Sequence, residues 1–186
     1  RGSILDIGCG AGSHTLLLQE KGYEVTALDS SKGAIETCRL RGLENCIEAD
    51  IFDTQDPLAK SLQNQKFDTL LLLMNGIGIV GRLENLYPFL NYLKRLLNPG
   101  GQVLLDSSDI IYMYDEDDDG GRWVPDTGRY YGEVEFELRY KGQKSELFDW
   151  LYVDYRTLTR YASDCGLQHE LVRNGEHYDY LVRLWH

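Results

Sequence analysis

The chain has 186 residues, 42% of them hydrophobic, which is enough for one α/β domain with a sizeable core. Its net charge of −11 argues against a nucleic-acid footprint, because a phosphate backbone calls for a basic surface. No apolar run approaches the ~20 residues of a membrane helix, and the four cysteines form no Cys-x-x-Cys pair, which points to reduced thiols in a cytoplasm.

Strand and helix signals alternate from the first residues. Ser3 to Ile7 reads as a strand, Gly8 to Gly12 as a turn, and Ser13 to Lys21 as a helix closed by Gly22. That opening is abrupt for a core strand, so a segment preceding this one is expected in a longer protein. Glu24 to Leu28 is a second strand ending at Asp29, and Ser30 or Ser31 can cap the helix that runs to about Gly42. A third strand, Cys46 to Ala49, ends at Asp50. Asp56-Pro57 then opens a helix running towards Gln65.

The fourth strand is Phe67 to Met74, and its four consecutive leucines suit a strand buried on both faces. Leu83, Leu86, Leu90, Leu93 and Leu97 recur at helical spacing. Asn98-Pro99-Gly100-Gly101 stops that helix and leads into a fifth strand, Gln102 to Leu105. Ser107 to Tyr131 is a long excursion with an acidic run, Asp115 to Asp119. Val134, Phe136, Leu138 and Tyr140 alternate with charged residues and pair across Gly142 with Glu146 to Val153, giving a hairpin. A helix from Tyr155 to Cys165 and an antiparallel pair, Gln168 to Arg173 and Tyr178 to Trp185, complete the chain. The alternation predicts a mostly parallel sheet with helices on both faces.

In such sheets ligands lie over the carboxyl ends of the strands. Those ends deliver Asp6 with the glycine turn, then Asp29, able to accept both hydroxyls of a ribose, then Asp50, able to accept from an adenine amine. Gly8, Gly10 and Gly12 let the backbone approach a ligand closely. Asp6 would repel a pyrophosphate, and the dinucleotide fingerprint needs glycine at position 13, where Ser13 stands. The ligand so described is a nucleoside without phosphates.

The segments Leu5-Asp6-Ile7-Gly8-Cys9-Gly10-Ala11-Gly12, Val25 to Asp29, Glu48-Ala49-Asp50-Ile51 and Leu97 to Gly101 resemble, in order, four motifs of the class I, Rossmann-like S-adenosylmethionine-dependent methyltransferases. The resemblance spans Ser3 to the C-terminus. It implies a seven-stranded sheet, mostly parallel with an antiparallel C-terminal pair and an inserted hairpin, in one methyltransferase domain over 1–186, with the excursion at about 107–153 over the substrate. It implies S-adenosyl-L-methionine as cofactor and S-adenosyl-L-homocysteine as its product. Gly8, Gly10 and Gly12 would lie against the methionine part, Asp29 would take the ribose, and Asp50 with the backbone of Ile51 would face the adenine; Asp6 and Ser30 would belong to the same cofactor site. Met74 and Asn75 would stand beside the methyl group.

No catalytic residue follows from the resemblance; Asn75, Asp106, Asp109 and Tyr112 are candidates by position alone. The signatures of amino-directed DNA and cytosine-C5 enzymes are missing from the sequence, and no metal is implied. A small-molecule acceptor is expected, cationic or amine if the acidic run steers it. A protein acceptor and a non-catalytic cofactor-binding or scaffold subunit are the alternatives. Tyr112, Tyr114, Trp123, Tyr130 and Tyr131 have two readings, an aromatic lid or core packing. His14 reads as a helix-surface or packed residue and Cys9 as a small buried thiol.

Overall fold

The computed structural model describes residues 2–53, 55–62 and 64–186. Seven strands form one sheet: β1 (Ser3–Ile7), β2 (Glu24–Asp29), β3 (Asn45–Glu48), β4 (Phe67–Leu72), β5 (Leu97–Ser108), β10 (Gln168–Asn174) and β11 (Asp179–Trp185). Their order is β10-β11-β5-β4-β1-β2-β3, parallel from β3 through β5 and antiparallel at β11 and β10. The order reverses between β1 and β4, the place where such a sheet opens a crevice for a ligand.

Alternate strand positions feed opposite cores. Leu5, Ile7, Leu70, Leu72, Val103, Leu105, Val182 and Leu184 join the larger one. It is closed by α3 (Pro57–Leu62), α4 (Leu86–Leu96) and α5 (Tyr155–Asp164). In α4 the side chains of Leu86, Phe89, Leu90, Leu93 and Leu96 are buried at helical spacing, and burying each stabilises the fold by about 1.5–3 kcal/mol. On the other face α1 (Ser13–Glu20) and α2 (Lys32–Leu40) cover Ala27 and Val25 through Leu16, Leu18 and Cys38. The Ser31 hydroxyl caps α2 by accepting from the Ala34 N–H at 3.3 Å, and the Asp154 carboxylate caps α5 by accepting from Thr157 at 2.9 Å.

Two strands of the main sheet depart from the sequence reading by two residues or more. The fourth strand stops at Leu72 rather than Met74, because Met74 and Asn75 turn into left-handed backbone with φ of 63° and 57°. The fifth strand begins at Leu97 and runs to Ser108 rather than from Gln102 to Leu105. Leu97 already pairs with Phe67, and Thr69 next pairs with Gln102, so the Asn98–Gly101 stretch bulges out of a continuous strand instead of ending it.

The hairpin is also interrupted. β6 (Glu133–Phe136) pairs with β9 (Phe148–Leu151), and a separate tip joins β7 (Arg139–Tyr140) to β8 (Gln143–Lys144). The tip turns through Lys141 and Gly142, both at positive φ (48° and 80°), as two-residue hairpin loops prefer. At the break, Leu138 donates its N–H to the Ser145 hydroxyl at 2.9 Å.

Candidate active site

A cavity of about 510 Å³ opens where β1, β2 and β4 end at the reversal of strand order. Its floor is Ile7, Gly8, Leu28 and Ala49; Asp29 and Ser30 form one rim, and Asp50, Ile51 and Phe52 another. Met74, Gly76 and Ile79 stand on the β4 side, and the β9 residues Phe148, Asp149 and Trp150 close the far wall.

The glycine turn is tied to β2. Gly8 and Cys9 both donate their N–H groups to the Leu28 carbonyl, at 2.8 and 3.1 Å. Gly8, Gly10 and Gly12 all take positive φ, 72°, 55° and 75°, which only glycine adopts without penalty. A β-carbon on Gly12 would stand 2.5 Å from Leu43 Cδ1 and 2.8 Å from Cys38 Sγ, so there packing demands glycine as well. A β-carbon on Gly8 would have only Ile79 Cγ2 near it, at 3.9 Å, which leaves that side open to the cavity.

The Asp29 carboxylate spans the turn and the next helix. Its Oδ2 accepts from the Gly10 N–H at 2.9 Å and its Oδ1 from the Ser31 N–H at 2.8 Å. Each oxygen has one such recorded protein donor and keeps acceptor capacity for a ligand. Asp50 is exposed, and its Oδ1 accepts from the Phe52 N–H at 2.9 Å. That bond folds Phe52 back over the rim, where its ring meets Phe89 at 5.1 Å.

Asp6 behaves differently from the other acids. It is 2% exposed and accepts from the Thr15 hydroxyl at 2.6 Å. Burial pushes its carboxyl above the usual carboxylate range, although the Thr15 bond and the charge of His14 pull the other way. It lies beneath the turn instead of lining the cavity, so its contact with α1 fixes how the turn enters that helix.

Beyond β4, Asp106 of β5 accepts backbone N–H groups from Met74 at 3.1 Å, Asn75 at 2.7 Å and Gly76 at 3.4 Å. Met74 is on the cavity wall. The Asn75 side chain turns inward, with Oδ1 accepting from the Ser107 hydroxyl at 3.0 Å and Nδ2 donating to the Leu151 carbonyl at 3.3 Å. Of the other positional candidates, Asp109 caps Ile111 and accepts from the Tyr131 hydroxyl at 2.7 Å. Tyr112 is half exposed and stacks on Tyr178 with centroids 4.8 Å apart.

The aromatic residues divide between the two readings. Tyr130 donates to Asp154 at 2.6 Å and Tyr114 to the Tyr131 carbonyl at 3.0 Å, so these three are packing and network residues. Burial pushes the Tyr130 and Tyr131 hydroxyls above their ordinary range, which keeps them protonated donors. Tyr112 and Trp123 remain open to solvent. His14 lies outside the cavity, in a groove with Leu17 and Leu18. Cys9 packs against Cys38, Sγ to Sγ 4.0 Å, and burial raises its thiol so that it stays protonated.

Sequence reasoning did not find Phe52, Ile79, Phe148, Asp149 or Trp150. The alternation of the hairpin marks Phe148 and Trp150 as sharing a face, but not which surface that face meets. Among the described residues no group of three or more His, Cys, Asp or Glu side chains is arranged to hold a metal, and no helix is long and apolar enough to cross a membrane.

Residues 4–101 match the family model of the methyltransferase domain. A SAM-dependent methyltransferase from Bacteroides fragilis, solved in complex with S-adenosyl-L-homocysteine, is 45% identical, with a TM-score of 0.86 over 98% of this chain and 71% of that one. Cypemycin N-terminal methyltransferase from a Streptomyces species is 30% identical over 107 residues, 58% of this chain and 42% of its own length. A ubiquinone biosynthesis O-methyltransferase from Rickettsia typhi is 27% identical over 104 residues, 56% of this chain and 40% of its own. The chain therefore spans less than half the length of these curated relatives.

Proposed function

This chain belongs to the methyltransferase-domain family, and on that premise we propose that it transfers a methyl group from S-adenosylmethionine to a small-molecule acceptor by direct displacement. The observation that carries the reading is the convergence of Gly8, Asp29 and Asp50 on one cavity beside a turn in which every glycine is conformationally required. The 45% identical Bacteroides fragilis protein, whose structure holds S-adenosyl-L-homocysteine, supports it.

The residues present fit that cofactor. Asp29 would accept from the vicinal hydroxyls of the ribose, with Ser30 beside it. Asp50 and the backbone of Ile51 would face the adenine, and Phe52 would cover its ring. Gly8 and Gly10 leave room for the methionine part, and Met74 borders the methyl end. When bound, the cofactor supplies an electrophilic methyl carbon on a sulfonium that is already an activated leaving group. What remains for the protein is to hold the acceptor in line and exclude water. The β9 wall of Phe148, Asp149 and Trp150 serves that exclusion, and the Arg82–Asp149 ion pair at 2.7 Å ties it to the loop after β4.

A cationic or amine acceptor is favoured by the net charge of −11 and the acidic run at Asp115 to Asp119. Tyr112, Met113, Trp123 and Tyr178 are exposed at the same end of the sheet and could meet a cation with their ring faces and thioether. The cypemycin relative, named for N-terminal methylation, favours a second reading in which the amine belongs to a peptide. A reducing, cytoplasmic setting accords with four cysteines standing as free thiols.

Calorimetric titration with S-adenosylmethionine and S-adenosylhomocysteine tests the first step, and absence of binding by both to folded protein overturns it. Formation of S-adenosylhomocysteine with a panel of amines, phenols and short peptides tests the second. Binding without turnover on any of them would instead mark a non-catalytic binding or scaffold subunit.

A further inference from the structure

The turn that follows β4 is held by a single carboxylate. Met74 and Asn75 are consecutive residues in left-handed backbone, a conformation that a β-carbon disfavours and that two neighbours rarely share without an external hold. Successive amides in such a turn converge to form a concave anion site. Asp106 fills it from β5, with Oδ2 on the Met74 N–H and Oδ1 on those of Asn75 and Gly76. An ionised carboxylate accepts such bonds about twice as strongly as a neutral oxygen does.

The same turn connects two walls of the cavity. Met74 and Gly76 line it directly. Asn75 reaches the Leu151 carbonyl at the end of β9, and the Ser107 hydroxyl that donates to Asn75 also accepts the Val153 N–H at 3.0 Å. Thus the position of the β4 end is passed to the strand that carries Phe148, Asp149 and Trp150.

We propose that Asp106 is a positioning residue for methyl transfer: its carboxylate holds the Met74–Gly76 turn in its left-handed form, and Asn75 carries that placement to the hairpin wall. Its oxygens already accept three backbone protons, which sets this role apart from a general base. The inference rests on the cofactor reading above.

The test compares Asp106→Ala and Asp106→Asn in the whole chain, with thermal melting to establish that each is folded. Amide hydrogen exchange at residues 74–76 reads the turn, and titration with S-adenosylhomocysteine reads the site. Asp106→Ala should lose protection at all three amides and bind at least about tenfold more weakly, as expected when charge-assisted bonds are removed. Asp106→Asn keeps one acceptor oxygen and should recover most of that loss, remaining about threefold weaker than the natural protein. A carboxylate with only a structural role lowers the melting temperature of both variants but leaves the affinity of the folded protein unchanged, and that result overturns the proposal. Should Asp106→Ala not fold, unaltered affinity in Asp106→Asn together with lost protection at Met74 overturns it equally. If the natural chain binds neither S-adenosylmethionine nor its product, the cofactor reading falls and the transfer role with it. In that event the exchange data still decide whether Asp106 holds the turn.

Discussion

The indole of Trp150 lies directly on the α-carbon of Gly78: a β-carbon at Gly78 would stand 2.0 Å from Trp150 Nε1 and 2.3 Å from Cε2. Gly78 sits in the 3-10 turn Gly76–Val80 after β4, so this contact docks the hairpin on the loop that borders the cavity. The requirement is steric, since Gly78 does not take a positive φ. Gly78→Ala should therefore cost about 1–3 kcal/mol, as overpacking of a tight contact does, and should push β9 outward. Chemical denaturation and tryptophan fluorescence measure both effects. Trp150→Leu in the same background should recover part of the lost stability, and an additive double variant would show that the two residues do not act on each other.

Asp29 links the turn and the ribose rim through its two backbone bonds. Replacing it by alanine removes the acceptor for Gly10 and Ser31 together with any bond to a diol. S-adenosylhomocysteine should then bind at least about tenfold more weakly, roughly 1.5 kcal/mol or more for lost hydrogen bonds to a charged group. Asp29→Asn keeps one acceptor oxygen and should fall between the two. Equal affinity for natural and alanine proteins by titration calorimetry would refute the assignment.

The parallel half of the fold was legible because its signals are local. The Gly8 to Gly12 turn, the acids at three strand ends and the leucine spacing of α4 each depend on neighbours close in sequence. The cavity's far wall was not, because it is set by contacts between distant segments: Trp150 with Gly78, Asp149 with Arg82 at 2.7 Å, and Asn75 with Leu151. Nor does a sequence show that Asp6 and Asp29, both strand-end acids beside one turn, differ in burial. Asp6 pairs with Ala27, so Asp29, two residues further along β2, shares its face of the sheet; Asp6 is buried there against Thr15 of α1, while Asp29 stands past the strand end on the rim. The early start of β5 is hidden in the sequence because Asn98-Pro99-Gly100-Gly101 has the composition of a turn and forms a bulge within a ladder.

Asp154 should make the protein acid-sensitive. Burial alone would raise its carboxyl, but the bonds from Thr157 and Tyr130 outweigh that and hold it below the usual carboxylate range. A depressed folded-state pKa contributes stability that is present above the unfolded value, about 3.9 for aspartate, and is lost as pH falls through the folded value. As the cap of α5, Asp154→Ala should cost about 0.5–2 kcal/mol at neutral pH. The difference between the two proteins should shrink below about pH 4, and urea denaturation across pH 3 to 7 would follow it. A gap that stays constant over that range would show that the charge of Asp154 plays no part.

Asp6 should show the opposite sign. Its folded carboxyl lies above the usual range because burial disfavours the charge, so the folded chain holds that proton more tightly than the unfolded one. Stability from this group is complete below the unfolded pKa of about 3.9 and declines as pH rises through the folded value. At neutral pH an ionised Asp6 is thus a cost that the Thr15 bond at 2.6 Å only partly offsets. Asp6→Asn is nearly isosteric and its amide oxygen can still accept from the Thr15 hydroxyl. The variant should be at least as stable as the natural protein at pH 7 and lose that advantage towards pH 4. Thermal melts at the two pH values measure this directly, and a variant less stable at pH 7 than at pH 4, relative to the natural chain, would reverse the sign. Cofactor titration of the same variant separates the two roles of the acid. A more stable protein with weaker binding would mean that the charge under the glycine turn is kept for the ligand at the expense of the fold.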